Sequence, residues 1–301
     1  MRPLDYVFYH SPCTDGFTGA WAIWKAYGDD HVKYIPLRYG DELPVDVTGK
    51  HILFVDVSLK RDDTIAAALK AASIFVLDHH KSAECELVNL QSEEEDLRPK
   101  LHVVFDMSRS GARLAWDWAH PEKSIPFLID IVEDRDLWSF KFKHTKALSR
   151  FINSFDQTFA NWEEIHQQLS SKSECELALD IGQALERAFM IEVRRLADLS
   201  TIGTTEDGVK VPIGHASKIY SSDLAHELLK RNPDASFAAV RCFEGNQEIW
   251  SLRSEGHRQD VRVIAEHMGG GGHRNAAGFQ IESFGHDDLP FSVKDAIADL
   301  G

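Results

Sequence analysis

The chain has 301 residues, 43% of them hydrophobic and 27% charged, with a net charge of -15. That length suits two modest domains better than one, and the composition excludes a disordered or fibrous chain. So acidic a balance also excludes a broad electrostatic grip on long nucleic acid, while a small anionic substrate held by cations and a few arginines stays compatible with it.

Tyr6–Tyr9 reads as a short strand, with His10 directly after it and Cys13 and Asp15-Gly16 in the next loop. Gly16–Tyr27 follows as a helix, Val32–Pro36 as a strand, and Tyr39–Pro44 as a loop. His51–Val55 is an apolar run ending in Asp56, and Arg61–Ala72 is an alanine-rich helix. Ile74–Leu77 is a third apolar run, and it ends in Asp78-His79-His80. Continuous apolar runs of this length read as strands covered on both faces, and their alternation with helices predicts a parallel sheet. Ser92–Asp96 is an acidic run expected to be a solvated loop, Leu101–Phe105 a further strand, and Ser110–Ala119 a helix. Ile125–Val132 is a fourth apolar run, read with the strand ends, that leads into Glu133-Asp134-Arg135-Asp136.

Beyond it, 134–169 reads as mostly helical, and Ser173–Leu199 as one long helix connecting two domains. The second domain is expected to contain a strand at Val209–Ile213 and a helix at Asp223–Lys230. A hairpin over Phe237–Phe243 and Gln247–Arg253 turns at Gly245-Asn246. A short helix at Val261–Met268 is stopped by Gly269-Gly270-Gly271-Gly272, and Ala276–Phe279 is a small-residue strand. The predicted fold is α/β in two domains: a doubly wound parallel sheet over 1–170, a helical linker over 171–201, and a smaller α/β domain over 202–301. Scattered cysteines at 13, 85, 175 and 242 suggest no disulfide framework. With no room for a signal peptide before the first strand and no run near the ~20 apolar residues of a membrane span, a cytoplasmic protein is expected.

Asp78-His79-His80 alone is as compatible with a capped strand end as with a metal site. Four apolar segments that each deliver Asp or His at their C-terminal side point to one convergent site, because ligands of open α/β sheets collect beyond the carboxyl ends of the strands. Carboxylate and imidazole together suit a divalent transition metal such as Mn²⁺.

The order His10…Asp15-Gly16, Asp56, Asp78-His79-His80 and Asp134 resembles the four motifs of the DHH phosphoesterases, and Gly269–Phe279 resembles the glycine-rich signature of the DHH-associated C-terminal domain. The resemblance spans nearly the whole chain and is closest to the oligoribonuclease and phosphohydrolase branch, related to exopolyphosphatases. It implies metal ligation by His10, Asp15, Asp56, Asp78, His80 and Asp134, with Asp56 or Asp78 bridging two Mn²⁺ ions; Mg²⁺ or Co²⁺ are alternatives. It implies catalytic roles for Asp78 and for His79, the latter beside the substrate phosphate, and substrate contacts from Arg253, Gly270, Gly271, Gly272, His273 and Arg274, with Arg258 as a weaker addition. The glycines would turn their amides toward an anion. Cys13 departs from the family, which carries aspartate there, and reads as a spectator or weak ligand. Asp136 competes with Asp134 for the fourth motif.

The resemblance implies a metal-dependent phosphodiesterase that cuts short oligonucleotides or linear dinucleotides to mononucleotides, the first domain cutting and the second gripping the substrate's far end. Tyr39, Trp138, Phe140 and Trp250 are candidate base-stacking side chains. A polyphosphate or 3′,5′-bisphosphate phosphohydrolase is an alternative, and so is a nucleotide sensor weakened in catalysis by Cys13. Neither a membrane nor a long duplex is an expected partner, and a homodimer is compatible with the chain.

Overall fold

The computed structural model describes residues 2–205 and 208–282. The chain divides into two compact units, 1–189 and 190 onward. The first contains β1 (Tyr6–His10), α1 (Thr14–Tyr27), β2 (Lys33–Leu37), β3 (His51–Val55), α2 (Arg61–Lys70), β4 (Ser73–Asp78), α3 (Lys81–Leu87), α4 (Leu90–Glu93), β5 (Leu101–Phe105), α5 (Gly111–Ala119), α6 (Phe127–Asp136), α7 (Thr145–Ile152) and α8 (Phe159–Ser170). The long α9 (Lys172–Asp198) runs through the point of division.

All five strands of the first unit are parallel, in the order β2-β1-β3-β4-β5. The chain leaves β1 toward one edge and returns to its other side, so the strand order reverses between β1 and β3. Such a switch point opens a crevice at the carboxyl ends of the strands. The period-two pattern of the strands divides the core. Val7, Leu53, Val55 and Leu77 face one layer, which holds Trp21, Trp116, Leu128, Ile129 and Trp162 from the helices. Phe8, Ile52, Phe54, Ile74 and Val76 face the other, with Ala67, Ala68, Leu87 and Leu90. Both faces are thereby covered, which is why these strands read as unbroken apolar runs.

Two expectations are corrected here. The apolar run beginning at Ile125 is helical, with Pro126 as the N-cap residue of α6. Leu128, Ile129, Ile131 and Val132 are all buried, and the apolar run Ile125–Val132 is too short to show a helical period that distinguishes it from a strand. The acidic run is not wholly loop, since α4 ends within it at Glu93 and a short 3₁₀ turn covers Glu95–Leu97. The N-terminal half of α9 packs on the first unit, where Ala178 is buried in the core and Arg150 pairs with Glu186 at 2.8 Å.

The second unit contains β6 (Thr201–Thr204), β7 (Lys210–His215), α10 (Ser221–Arg231), β8 (Ala238–Glu244), β9 (Gln247–Arg253), α11 (Val261–His267), β10 (Gly271–His273) and β11 (Ala276–Glu282). Its mixed sheet runs β10-β11-β9-β8-β7-β6, with only β7 and β8 parallel, joined by α10. Gly245, at φ 58°, makes the tight turn between β8 and β9. Leu224 and Leu228 of α10 pack with Ala238 and Val240, while Val261 and Ala265 of α11 pack with Ala239, Leu252 and Ala277. Among the described residues no helix is long and apolar enough to cross a membrane, and Cys13, Cys85, Cys175 and Cys242 are all free thiols.

Candidate metal centre

The polar side chains converge at the β1/β3 switch point. His10 is the last residue of β1, and Asp15 lies in the first turn of α1. Asp56 follows β3, Asp78 ends β4, and His79 and His80 come next. Asp15, Asp56, Asp78 and His79 are each about 2% exposed or less. Four ionisable side chains so deeply buried need mutual compensation, because an isolated charge away from water is very costly.

Asp56 is the hub. Its Oδ2 lies 3.3 Å from His10 Nδ1 and 3.5 Å from Cys13 Sγ, while its Oδ1 lies 3.1 Å from His79 Nε2. Its backbone is left-handed, at φ 59°, with the amide donating to Leu77 O at 2.9 Å. A non-glycine residue rarely adopts that conformation, and such strain persists where surrounding structure enforces it, often at functional sites. Around His79 Nε2 stand three carboxylates: Asp56 at 3.1 Å, Asp136 at 3.5 Å and Asp15 at 3.8 Å. Donor atoms thus fall into two adjoining groups that share Asp56, one of His10, Cys13 and Asp56 and one of Asp15, Asp56 and His79.

A third group, of Asp56, Asp78 and His80, is equally compact, and the carboxylate of Asp78 in it is also engaged by nearby donors. Its Oδ1 accepts from His79 N at 2.7 Å, His80 N at 3.2 Å and His80 Nδ1 at 2.7 Å, and its Oδ2 from Ser58 Oγ at 2.5 Å. Asp78 thus also clamps the turn that carries His80, whose side chain is 28% exposed.

Asp134 does not join the cluster. Lys141 N and Phe142 N donate to its two carboxylate oxygens at 2.7 and 3.1 Å, and Thr145 Oγ1 donates as well. It is spent on folding the chain back after α6. Asp136, two residues on at the C-terminal end of α6, is the member of the 133–136 run that reaches His79. The sequence also gives no weight to Ser110 and Gly111, which form the floor of the site. Ser110 caps α5, accepting from Arg113 N at 3.2 Å. Gly111 N and Ala112 N donate to Asp15 at 2.6 and 3.1 Å. A Cβ at Gly111 would lie 2.4 Å from Asp56 Cβ, so only glycine permits this approach. Gly16 is constrained alike, since a Cβ there would lie 2.3 Å from His10 O. The one available signal is a glycine directly after a serine N-cap.

The electrostatics follow from crowding. Burial and the charges of Asp56 and Asp136 push Asp15 well above the usual carboxylate range. Burial, with Asp56, Asp136 and Asp15, pushes the Cys13 thiol well up. Desolvation, only partly offset by His79, also raises Asp136. Burial opposes the charged form of Asp56, but hydrogen bonds to His10 and His79 and their positive charge hold it well below the usual range. For His79 burial acts downward, yet its bond to Asp56 and the charges of Asp136, Asp56 and Asp15 hold it well above the ordinary imidazole value. Without a cation, this crowding of carboxylates favours the protonated forms of Asp15 and Cys13. A divalent cation supplies the same positive charge, so the donor set fits one. Imidazole and carboxylate together suit a divalent transition metal such as Mn²⁺, to which a thiol is a weaker donor.

In the second unit, Arg253 and His273 both lie in register with Ala276 across β9, β11 and β10, and so share one face of the sheet. Arg253 donates to Ser222 Oγ at 2.8 Å. The amides of Gly269 and Gly270 donate to Glu266 O and Ala265 O, closing α11, so they do not point at an anion as the glycine run suggests. Gly270 and Gly272 are needed for close backbone packing instead, since a Cβ on either would lie within 2.6 Å of a β11 carbonyl oxygen. Arg274 is exposed, reaching toward Asp260 and donating to Arg258 O.

No sequence-family profile matches the chain. An uncharacterised protein of Acanthamoeba polyphaga mimivirus is 30% identical over 311 aligned residues, spanning 97% of this chain and 70% of that one. Among solved structures, the DHH domain of a member of a family of ribosomal proteins superposes with a TM-score of 0.61 at 16% identity, over 92% of this chain and 82% of that one. An exopolyphosphatase-related protein from Bacteroides fragilis gives 0.50 at 13% identity, over 99% and 90%. The chain belongs to one family with that mimivirus protein, and its fold is that of the DHH domain.

Proposed function

We propose that the first unit holds two divalent cations, Mn²⁺ in the leading case, and hydrolyses phosphodiester bonds of short oligonucleotides or linear dinucleotides to mononucleotides. The observation that carries this reading is that the donor groups of His10 with Cys13 and of Asp15 with His79 share the buried Asp56. In it His10, Cys13 and Asp56 hold one cation, and Asp15, Asp56, His79 and Asp136 the other. Bound there, two cations would polarise a phosphoryl oxygen and lower the pKa of an attacking water. Cys13, whose Sγ lies 3.5 Å from Asp56 Oδ2, is a weak ligand of that cation rather than a spectator.

The chain's own groups divide the remaining work. His79, enclosed by three carboxylates, is a ligand and not the group beside the substrate. That role passes to His80. Burial opposes the charged form of Asp78, but the charge and hydrogen bond of His80, with the charge of His79, hold its carboxyl below the usual range; His80 Nδ1 donates to it, and the ring's Nε2 points away from Asp78. From there His80 can deliver a proton to the leaving oxygen. Arg253 and His273, on one face of the second sheet, are the proposed contacts to a further phosphate.

The test is a product assay on purified protein with Mn²⁺, offering pGpG, pApA, a five-nucleotide RNA, polyphosphate and a 3′,5′-bisphosphorylated nucleotide. Mononucleotides from the first three are expected. Inorganic phosphate from only the last two would move the reading to the phosphohydrolase branch, and binding without turnover would make it a sensor.

A further inference from the structure

The segment after Asp136 inverts the charge of the chain. Although net charge is -15, no acidic residue occurs between Asp136 and Asp156, and Lys141, Lys143, Lys146 and Arg150 fall in that span, interleaved with Trp138, Phe140 and Phe142. The segment starts inside the metal centre, because Asp136 lies 3.5 Å from His79. It is then folded back by Asp134, which binds the amides of Lys141 and Phe142.

Two observations point to a ligand. A groove of about 280 Å³ lies between the start of α7 and α9, lined by Lys143, His144, Lys146, Gln183, Glu186 and Arg187. Glu186 is already paired with Arg150, and among the described residues no carboxylate stands within ion-pair reach of Lys143, Lys146 or Arg187. Between the groove and the metal centre, Trp138 and Phe140 are both held in left-handed backbone, at φ 56° and 47°. Their rings meet edge to face at 4.9 Å, with the Arg135 guanidinium 4.2 Å over Trp138 and Lys146 Nζ 4.8 Å over Phe140. Bulky side chains adopt that conformation only under constraint, and a core would be served equally well by aromatics on unstrained backbone. Alternating aromatic faces and cations match the demands of single-stranded nucleic acid, where every base offers a π-face and every linkage a charge.

We propose that Trp138–Lys146, with Arg187 of α9, is a track for the single-stranded oligonucleotide beyond the scissile linkage, so that the enzyme takes substrates longer than a dinucleotide. This rests on the phosphoesterase reading and deepens it by assigning the residues that hold the strand beyond the cut. Phosphates lie against Lys143, Lys146 and Arg187, and a base stacks on Trp138 or Phe140.

The test is binding, kept separate from turnover: fluorescence anisotropy of a 5′-labelled five-nucleotide RNA with the full chain in EDTA, over a salt series. Replacing Lys143, Lys146 and Arg187 together by Gln is expected to weaken binding whatever the base sequence, and to lower the log–log salt slope by about 2, at about 0.7 per single-strand phosphate contact. In the cation-loaded enzyme the same change should raise KM for the five-nucleotide RNA about tenfold relative to KM for a dinucleotide. An unchanged slope and an unchanged KM ratio would overturn the track, with dinucleotide cleavage still supporting the phosphoesterase reading. Binding with the predicted slope but no cleavage by the wild-type protein would sink that reading and leave the track standing. Trp138→Leu separates the ligand's source: it should weaken RNA without weakening polyphosphate of equal charge, and equal effects on both would reduce the track to a polyanion groove and refute the nucleic-acid assignment.

Discussion

Asp56→Asn isolates the charge on which the proposed centre depends. Asparagine keeps the size of the side chain and tolerates left-handed backbone, so the φ of 59° carries over with little new strain. What changes is one negative charge, positioned within 3.1–3.5 Å of His10, Cys13 and His79. A unit charge pair 4 Å apart contributes about 4 kcal/mol at an effective dielectric near 20. Losing one such interaction should weaken cation binding by about three orders of magnitude, at 1.4 kcal/mol for each tenfold. Because Asp56 is common to both donor groups, the two occupancies should fall together. Isothermal titration with Mn²⁺ gives affinity and stoichiometry, and the dinucleotide assay gives turnover. Wild-type affinity at a stoichiometry of two would refute the shared-carboxylate arrangement.

Three further outcomes are expected. Asp136→Asn should weaken Mn²⁺ binding with little effect on urea stability, whereas Asp134→Asn should leave Mn²⁺ binding intact and cost roughly 1–3 kcal/mol in urea unfolding, having lost a buried charged acceptor; the reverse pattern would restore Asp134 to the centre. Gly111→Ala places a Cβ 2.4 Å from Asp56 Cβ, and should cost about 1–3 kcal/mol together with Mn²⁺ affinity, whereas an unperturbed titration would show that the floor can yield. Asp106, held at about 2 by hydrogen bonds from the Ser108 side chain and backbone, contributes stability that is present above the unfolded carboxylate value near 4 and is lost as pH falls toward 2. Asp106→Asn should therefore flatten the stability–pH curve of the first unit between those limits.

The sheet was legible because both its faces are covered. Runs such as Ile52–Val55 and Ile74–Leu77 have no polar face to hide, and strand-end His10, Asp56 and Asp78 then mark the crevice. The shortness of the apolar run explains why α6 read as a strand, since eight residues with one polar position leave the same trace as a buried strand. The site's finer assignments depended on rotation and on hydrogen-bond bookkeeping. Asp134 and Asp136 are two residues apart, about 200° around a helix, and only the fold shows which one faces the imidazoles. His79 and His80 are adjacent, and the turn clamped by Asp78 buries one and opens the other. Cys13 read as a departure from pattern, and its closeness to Asp56 becomes visible only once α1 and β3 are side by side.

All the proposed ligands, from His10 to Asp136, belong to the first unit, and they come from β1, the start of α1, the ends of β3 and β4, and the end of α6. No fragment shorter than that span can assemble the set, so cation occupancy reports on the completed sheet. By linkage, free cation at a hundred times its dissociation constant would raise the unfolding free energy of that unit by about 2.7 kcal/mol, or roughly 5–10 °C for its size. In the proposed assignment the second unit supplies no ligand and gains nothing directly. Where the two units melt separately, adding cation to the chelated protein should move the transition of the first unit upward and leave that of the second in place.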